Sequence, residues 1–469
     1  MNNIILIFID QKKRDTFGMM MIYNYLKKRG LNVVLSSDID FFVKYLYYRP
    51  KVVLQGNPDV RHGYYSRFIS NHSILYALPT EQTITDLDFA VTRITKGHSP
   101  TSKLLPPYIE GVYKFFIWGK KVTERLKSEQ EFDNKIVYTG CIKNYNLDKS
   151  YTNKTKVIGI ALEDEFNYKN ISQRLFVNRE NDYTFYCKKI KNFYTFGIHV
   201  ADKINEVISK LNEKDYKIIV RPRLSTADSD FSYLTNNFPN IEIDYSESTY
   251  DFFNKIDTLI LAQSSIGTEA QIEGIPVISI NGLLSDVIKF CEIDTSNEKI
   301  EHYWQVSNFN NLFTFLDDNT LEVSPKMESL QKYVDDFFAN SDSIKHPSEI
   351  IAIELEHSLN NFENIKKELK PSYPISSEFI KNLLSTRFRF PIIYNTIYKG
   401  FEKNTFLNKF VVLVIFLLVK IKNNIKFIFD KSSKDSSFFF DIDKELFRKN
   451  YKIFQDIDNR ISESASKNK

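Results

Sequence analysis

The stretch from Asp257 to Asn281, DTLILAQSSIGTEAQIEGIPVISIN, constrains the fold of this chain more than any other. Thr258–Ala262 is a short apolar run of the kind buried on both faces of a parallel sheet. Gln263-Ser264-Ser265-Ile266-Gly267-Thr268-Glu269 is a small-residue turn opening a short helix that runs to about Glu273. Gly274-Ile275-Pro276 stops that helix, because glycine accepts left-handed backbone and proline cannot continue the ladder. Val277–Ile280 then restarts a strand. The result is a βαβ unit whose helix N-terminus faces the carboxyl edge of a sheet, where open α/β sheets bind ligands. Ser264, Ser265 and Thr268 offer hydroxyls there, and the first-turn N–H groups offer a positive dipole end suited to phosphate. Glu269 can accept hydrogen bonds from ribose hydroxyls. A plain capped helix uses the same residues, since Ser and Thr are favoured N-caps. On this segment alone both readings stand.

The same alternation runs along the chain. Ile4–Ile9 reads as a first strand, followed by the polar loop Asp10–Asp15 and a helix with apolar residues at Met19, Ile22, Tyr23 and Leu26. That helix ends in Lys27-Lys28-Arg29-Gly30, with cations in its last turn and a glycine past its end. Val33–Leu35, Lys51–Gln55, Ser73–Leu78, Lys114–Trp118 and Lys135–Tyr138 read as further strands, with a helix at Lys121–Ser128. The polar, aperiodic run Asp148–Lys156 reads as a linker. A second set follows: strands at Val157–Leu162, Lys217–Val220, Ile241–Asp244, Thr258–Ala262 and Val277–Ile280, and a helix over 197–213. Strands alternating with helices specify parallel, doubly wound sheets with right-handed crossovers. The expectation is an α/β chain with a Rossmann-like domain over 1–150, a second over 151–340 and a cleft between them. Helices at 341–380 close the pair, and 381–469 forms a hydrophobic-basic tail.

With 42% hydrophobic and 26% charged residues, 469 positions suffice for two or three domains with cores of their own. Net charge is +4 with the signs interspersed, so no nucleic-acid footprint is present and no nucleic-acid partner is expected. Cys141, Cys187 and Cys291 are too few and too far apart for a disulfide framework or a zinc spacing, which points to a reducing cytoplasm. The N-terminal apolar run is too short for a signal peptide. Phe410–Val419 (FVVLVIFLLV) is an uninterrupted apolar decade flanked by lysines at 399, 403, 409, 420, 422 and 426. Ten residues are too few to span a bilayer, while basic flanks suit a helix lying on an anionic membrane surface. A buried helix of a small bundle is the alternative.

Outside the central stretch, Arg221 sits one residue past a strand, before Pro222, at the same carboxyl edge, where a guanidinium can clamp a phosphate or carboxylate. Glu81 follows a strand in the first half, where a carboxylate facing a cleft suits general acid or base chemistry. Arg14 and Asp15 occupy the first βα loop. Asp-x-Asp pairs recur (38/40, 86/88, 228/230, 441/443, 456/458), but none clearly ends a core strand, and the histidines show no metal spacing, so no metal site is expected. Walker, GxGxxG, GxSxG and HExxH motifs are absent, which leaves hydrolase and dehydrogenase readings without support.

These residues together resemble a family. Tandem Rossmann-like halves with SSIGTEAQIEGIPVI late in the second resemble GT-B glycosyltransferases. More narrowly, they resemble bacterial surface-carbohydrate (capsule and O-antigen) biosynthesis proteins, some similar to Kdo transferases using CMP-Kdo. Asp10–Asp15 with Lys28-Arg29-Gly30 is similar to that family's first loop and helix end. Leu78-Pro79-Thr80-Glu81-Gln82 resembles its acidic cleft loop, and Phe116-Ile117-Trp118-Gly119 and Thr139-Gly140-Cys141-Ile142-Lys143 resemble its Trp-Gly and Thr-Gly-x-Pro-Arg strand ends. Arg221-Pro222-Arg223-Leu224 stands where the family often has Arg-Pro-His-Pro, and Ile142-Lys143 replaces Pro-Arg.

The resemblance covers roughly residues 1–340. It implies a metal-independent enzyme without a cofactor, moving a sugar from a nucleotide-sugar donor to a lipid-linked or polysaccharide acceptor. Ser264, Ser265, Thr268, Glu269 and Arg221 would bind the nucleotide, Glu81 would serve as acid/base, and Arg14 would position. The enzyme would lie in the cytoplasm, peripheral on the inner face of the cell membrane through Phe410–Val419. A glycerophosphate transferase, a sugar-nucleotide epimerase and a non-catalytic scaffold of polysaccharide assembly are the alternatives.

Overall fold

The structure is a computed structural model. Apart from single positions, it describes residues 1–9, 12–37, 41–56, 69–79, 111–129, 132–144, 147, 156–162, 183–222, 231–262, 264–291, 301–318, 321–340, 343–369 and 451–459, with Leu87, Val91 and Ile94. The chain divides into two compact units, Met1–Ile142 with Asp335–Lys469, and Lys143–Val334. The first crossing thus falls just after Thr139-Gly140-Cys141, ahead of the polar run at 148–156, and the described residues beyond Val334 belong with the N-terminal half.

The first unit runs β1 (Asn2–Ile9), α1 (Lys12–Lys28), β2 (Val33–Ser37), α2 (Phe41–Tyr48), β3 (Pro50–Gln55), β4 (Ile74–Ala77), β5 (Lys114–Ile117), α3 (Lys120–Lys127) and β6 (Ile136–Tyr138). Its six strands are all parallel in the order β2-β1-β3-β4-β5-β6. Ile5 through Ile9 are fully buried, and α1 covers them with Met19, Met20, Ile22 and Leu26. Burying such a side chain contributes on the order of 2 kcal/mol. The loop expected over Asp10–Asp15 is shorter than that, because α1 already begins at Lys12 and the buried Asp15 lies in its first turn, where a carboxylate complements the helix dipole. At the other end Gly30 has φ +78°; its N–H donates to Lys27 C=O (2.9 Å) and the Leu31 N–H to Leu26 C=O (3.2 Å), a Schellman ending.

The second unit runs β7 (Val157–Ala161), α4 (Tyr183–Asn212), β8 (Lys217–Arg221), α5 (Ser232–Asn237), β9 (Ile241–Ile243), α6 (Thr249–Lys255), β10 (Thr258–Leu261), α7 (Ile266–Ile272), β11 (Val277–Ser279), a 3₁₀ turn (Ile280–Leu284), α8 (Ser285–Phe290), β12 (Trp304–Gln305) and α9 (Phe309–Asp317). Its strands are parallel in the order β12-β11-β10-β7-β8-β9. Renumbered within the unit this is 3-2-1-4-5-6 read from the other edge, the doubly wound dinucleotide-fold order. The core gathers Ile158, Ile160, Val220, Ile260 and Ile278 from the sheet with Val200, Ile204, Val207, Ile208 and Leu211 from α4. That helix carries the apolar face read at 197–213 and begins fourteen residues earlier than the sequence pattern places it.

Helix α10 (Met327–Phe337) carries the chain back, and α11 (Pro347–Asn360) and α12 (Phe362–Glu368) complete the first unit. His346 caps α11 by accepting the Ser348 N–H at Nδ1 (3.1 Å), with Pro347 entering the first turn. The helix buries Ile351, Ala352, Leu355, Ser358 and Leu359 and packs on α1, β1 and β3. A polar lock holds it to the sheet. The Tyr76 hydroxyl donates to Glu354 Oε1 (3.1 Å) and hydrogen-bonds Ser358, while Lys114 Nζ stands 2.6 Å from the same carboxylate. Burial and the Glu354 charge push the Tyr76 phenol far up, so it stays protonated. Residues 451–459 are helical and belong to this unit, with Phe454 edge-on to Tyr25 and Asp458 2.8 Å from Lys28 Nζ. Phe410–Val419 lies outside the described residues. Among those described, no helix is long and apolar enough to cross a membrane.

Candidate functional site at the carboxyl edge of the second sheet

In the second unit the strand order reverses between β7 and β10, which makes the crevice beyond their carboxyl ends the topological switch point. The pairs Ile160↔Ile260 and Ala161↔Arg221 bring the ends of β10, β7 and β8 level. The turn after β10 therefore stands beside the switch point. Arg221 stands two strand spacings away, roughly 10 Å.

The turn is built by backbone. Ser264 C=O accepts the Gly267 N–H at 3.3 Å and the Tyr303 hydroxyl at 3.5 Å. Gly267 is required by packing, since a Cβ would meet the Tyr303 oxygen at 2.6 Å. Ser265 takes the cap position of α7 with helical backbone (φ −67°, ψ −17°) and makes no side-chain cap bond. Neither the Ser264 nor the Ser265 hydroxyl has a hydrogen-bond partner among the described residues, and both side chains are half-buried. The plain capping role open to these serines is thus unfilled. Thr268 differs from them, because its buried hydroxyl pairs with the Tyr303 hydroxyl at 3.2 Å and holds α7 to the segment before β12. At the far end Gly274 (φ +80°) donates to Gln271 C=O and Ile275 to Ala270 C=O, the Gly-x-Pro stop read from the sequence.

Glu269 faces Lys143. Its Oε1 lies 2.9 Å from Lys143 Nζ, with side chains 8% and 14% exposed. Arg221 is likewise paired: Nη1 donates to Asp244 Oδ2 and to Ser246 Oγ (2.9 Å), and the guanidinium lies over the Phe252 ring at 5.6 Å. Ser246 in turn donates to Asp244 (2.7 Å), and Ser248 caps α6 by accepting the Tyr250 N–H (3.1 Å). Arg221 therefore sits in a buried, hydrogen-bonded ion pair that orders the β9–α6 connection. Ser264, Ser265, Thr268 and Glu269 share one turn and helix, and Arg221 shares their edge. Arg14 lies in the first turn of α1 of the other unit, and Glu81 lies outside the described residues.

Three residues that sequence reasoning did not single out now belong to this edge: Lys143, Asp244 and Asn281. Lys143 stood in view as the replacement for an arginine, and Asp244 and Asn281 each follow a strand end. The partners of Lys143 and Asp244, Glu269 and Arg221, are 126 and 23 residues away, and the burial of Asn281 comes from tertiary packing, so no local pattern identifies the three. Among the described residues, no group of three or more His, Cys, Asp or Glu side chains converges to hold a metal ion.

No protein-family model and no curated protein matches the chain. Solved structures with a similar course include the wall teichoic acid polymerase TagF (13% identity, TM-score 0.48, covering 78% of this chain and 90% of that one). Others are the S. aureus MnaA–UDP co-structure (13%, 0.42, 76% and 96%) and Methanocaldococcus jannaschii UDP-GlcNAc 2-epimerase with UDP-GlcNAc and UDP (12%, 0.39, 76% and 99%). At these identities and scores the likeness says nothing of substrate or of the role of any residue. The class that the structure itself defines is an α/β protein of two doubly wound parallel sheets with a helical C-terminal segment.

Proposed function

We propose that this chain is a GT-B glycosyltransferase that moves a sugar from a nucleotide-sugar donor to a surface-glycan acceptor, with the donor held at the carboxyl edge of the second sheet. One observation carries the reading: at the switch point, the turn after β10 presents two serine hydroxyls that its own helix leaves uncapped. Hydroxyls placed there suit phosphate oxygens. The resemblance of SSIGTEAQIEGIPVI to nucleotide-sugar enzymes of capsule and O-antigen synthesis supports the same assignment.

In this reading Ser264 and Ser265 bind the donor phosphates and Glu269 accepts from the ribose. Thr268 contributes by fixing α7 against Tyr303. Arg221 provides positive potential at the leaving phosphate while its pairing with Asp244 keeps it in place. Glu81 is the acid/base and Arg14 the positioning charge, both on the strength of the resemblance. Leaving-group charge is stabilised by backbone dipoles and basic side chains without a metal. CMP-Kdo is the donor that the resemblance favours, and Phe410–Val419 keeps the enzyme on the inner face of the membrane where a lipid-linked acceptor lies.

The test is nucleotide release by the full chain from CMP-Kdo, UDP-GlcNAc and GDP-mannose, with membrane glycolipid as acceptor. One donor is turned over, and Glu81→Ala folds normally with turnover lost. Release that is absent for every donor, or undiminished in Ser264→Ala/Ser265→Ala, sinks the reading.

A further inference from the structure

Asn281 follows β11, the strand next to β10, at the same carboxyl edge. Its residue is 5% exposed, and neither Oδ1 nor Nδ2 has a hydrogen-bond partner. Among the described residues it is the only side chain with both polar atoms buried and unpaired. The backbone beneath it is fixed. The Asn281 N–H donates to Ser279 Oγ (3.3 Å), and that hydroxyl donates to Ala262 C=O (3.2 Å), two residues before Ser264. At the next position, Gly282, a Cβ would stand 2.3 Å from Val306 O, so the backbone that carries the amide is pressed against the residue after β12. Buried amides are normally paired, and one left unmet on both atoms above a fixed backbone needs an explanation.

We propose that Asn281 is a ligand-recognising residue of this site, donating from Nδ2 and accepting at Oδ1 on a vicinal diol. Each hydroxyl of a diol donates or accepts as needed, so a neighbouring pair satisfies both amide atoms at once. A phosphate or carboxylate offers only acceptors and leaves Oδ1 facing a like charge, and an apolar group leaves both atoms unmet. β11 lies about 4.8 Å from β10, which sets the diol next to the phosphate contacts of Ser264 and Ser265. In a sugar nucleotide either the ribose or the transferred sugar occupies such a place. The inference rests on the nucleotide-sugar reading above. It adds a discriminating role, because a site built to pair with a hydroxyl strongly rejects the analogue lacking it.

The test compares the full chain with Asn281→Leu, similar in size and apolar, and with Asn281→Ala, which adds no bulk should leucine not fit. Melting temperatures and titrations are taken with CMP, UDP and GDP, their 2′-deoxy counterparts, CMP-Kdo, UDP-GlcNAc and GDP-mannose. Without ligand Asn281→Leu melts at or above wild type, and both variants lose binding by about tenfold or more. If the diol is the ribose, bare nucleotides lose affinity and wild type's preference for ribo over 2′-deoxy forms disappears. If it is the transferred sugar, bare nucleotides bind unchanged and only sugar nucleotides weaken. Variants that melt lower yet bind every probe as wild type does overturn the proposal and give the amide a purely structural role. Wild type silent toward every probe overturns the nucleotide reading itself, and this proposal with it.

Discussion

Lys143 Nζ stands 2.9 Å from Glu269 Oε1, and both side chains are largely withdrawn from water. Lys143 is the first residue of its unit, and Glu269 lies in the first turn of α7. The pair therefore ties the entry of the chain to the helix that follows Ser264 and Ser265. A second tie runs parallel, with the Leu147 N–H donating to Glu273 Oε2 at 2.9 Å.

Removing one partner leaves a buried charge uncompensated. Lys143→Met is expected to cost about 3 kcal/mol, seen as a lower urea midpoint. Lys143→Met/Glu269→Gln is expected to cost less than the sum of the single changes, by about 1–3 kcal/mol. Additive costs would mean that the two groups do not interact.

Three helices end in the same hydrogen-bond pattern with different residues in the left-handed position. Gly30 and Gly274 have φ +78° and +80° and no neighbour within 4 Å of an added Cβ, so Gly→Ala at either carries only the conformational cost, about 1 kcal/mol. After α4 the position belongs to Asp215 (φ +58°), with Tyr216 N–H donating to Leu211 C=O. Asp215→Gly is expected to raise stability by up to about 1 kcal/mol, read as a higher melting temperature.

His72 titrates unusually low, at about 4, because burial and then the Lys366 and Arg49 charges oppose its protonation. The unfolded chain binds that proton near 6.5 and the folded chain does not. Stability is thus full above pH 6.5 and falls as the pH drops from there toward 4. His72→Gln flattens that slope in urea midpoints at pH 7 and pH 5. An unchanged slope would place the titration elsewhere; His302, also lowered by burial, acts in the same direction.

Arg221→Met leaves the buried Asp244 carboxylate with only the exposed Lys255, 3.6 Å away, as counter-charge and is expected to destabilise the second unit by up to about 3 kcal/mol. Arg221→Met/Asp244→Leu, which removes both charges, recovers most of that loss. Failure to recover it would mean that Arg221 matters for more than its pairing, as a phosphate contact alone would not produce.

Most strands and both glycine-ended helices flanking them were legible, because short apolar runs and a left-handed stop are local signals. Helix α2, FFVKYLYY, was not, since five of its eight residues are aromatic and two more are aliphatic, which blurs the amphipathic period. The two-residue β12 is too short to read and exists because Ile278 and Ser279 pair with Trp304 and Gln305. At the site, the turn, its hydroxyls and the edge position of Arg221 came from pattern. The partners that commit Glu269, Thr268 and Arg221 lie 126, 35 and 23 residues away, and only tertiary structure reveals them.

The central claim is that the β10–α7 turn holds the phosphates of a nucleotide. Isothermal titration of the full chain with CMP, UDP and GDP, repeated on Ser264→Ala/Ser265→Ala, addresses it directly. The account predicts saturable one-to-one binding of one of them, weakened about 10- to 100-fold in the double variant while its melting temperature stays near wild type. No heat with any nucleotide, or equal affinity in both proteins, would contradict it.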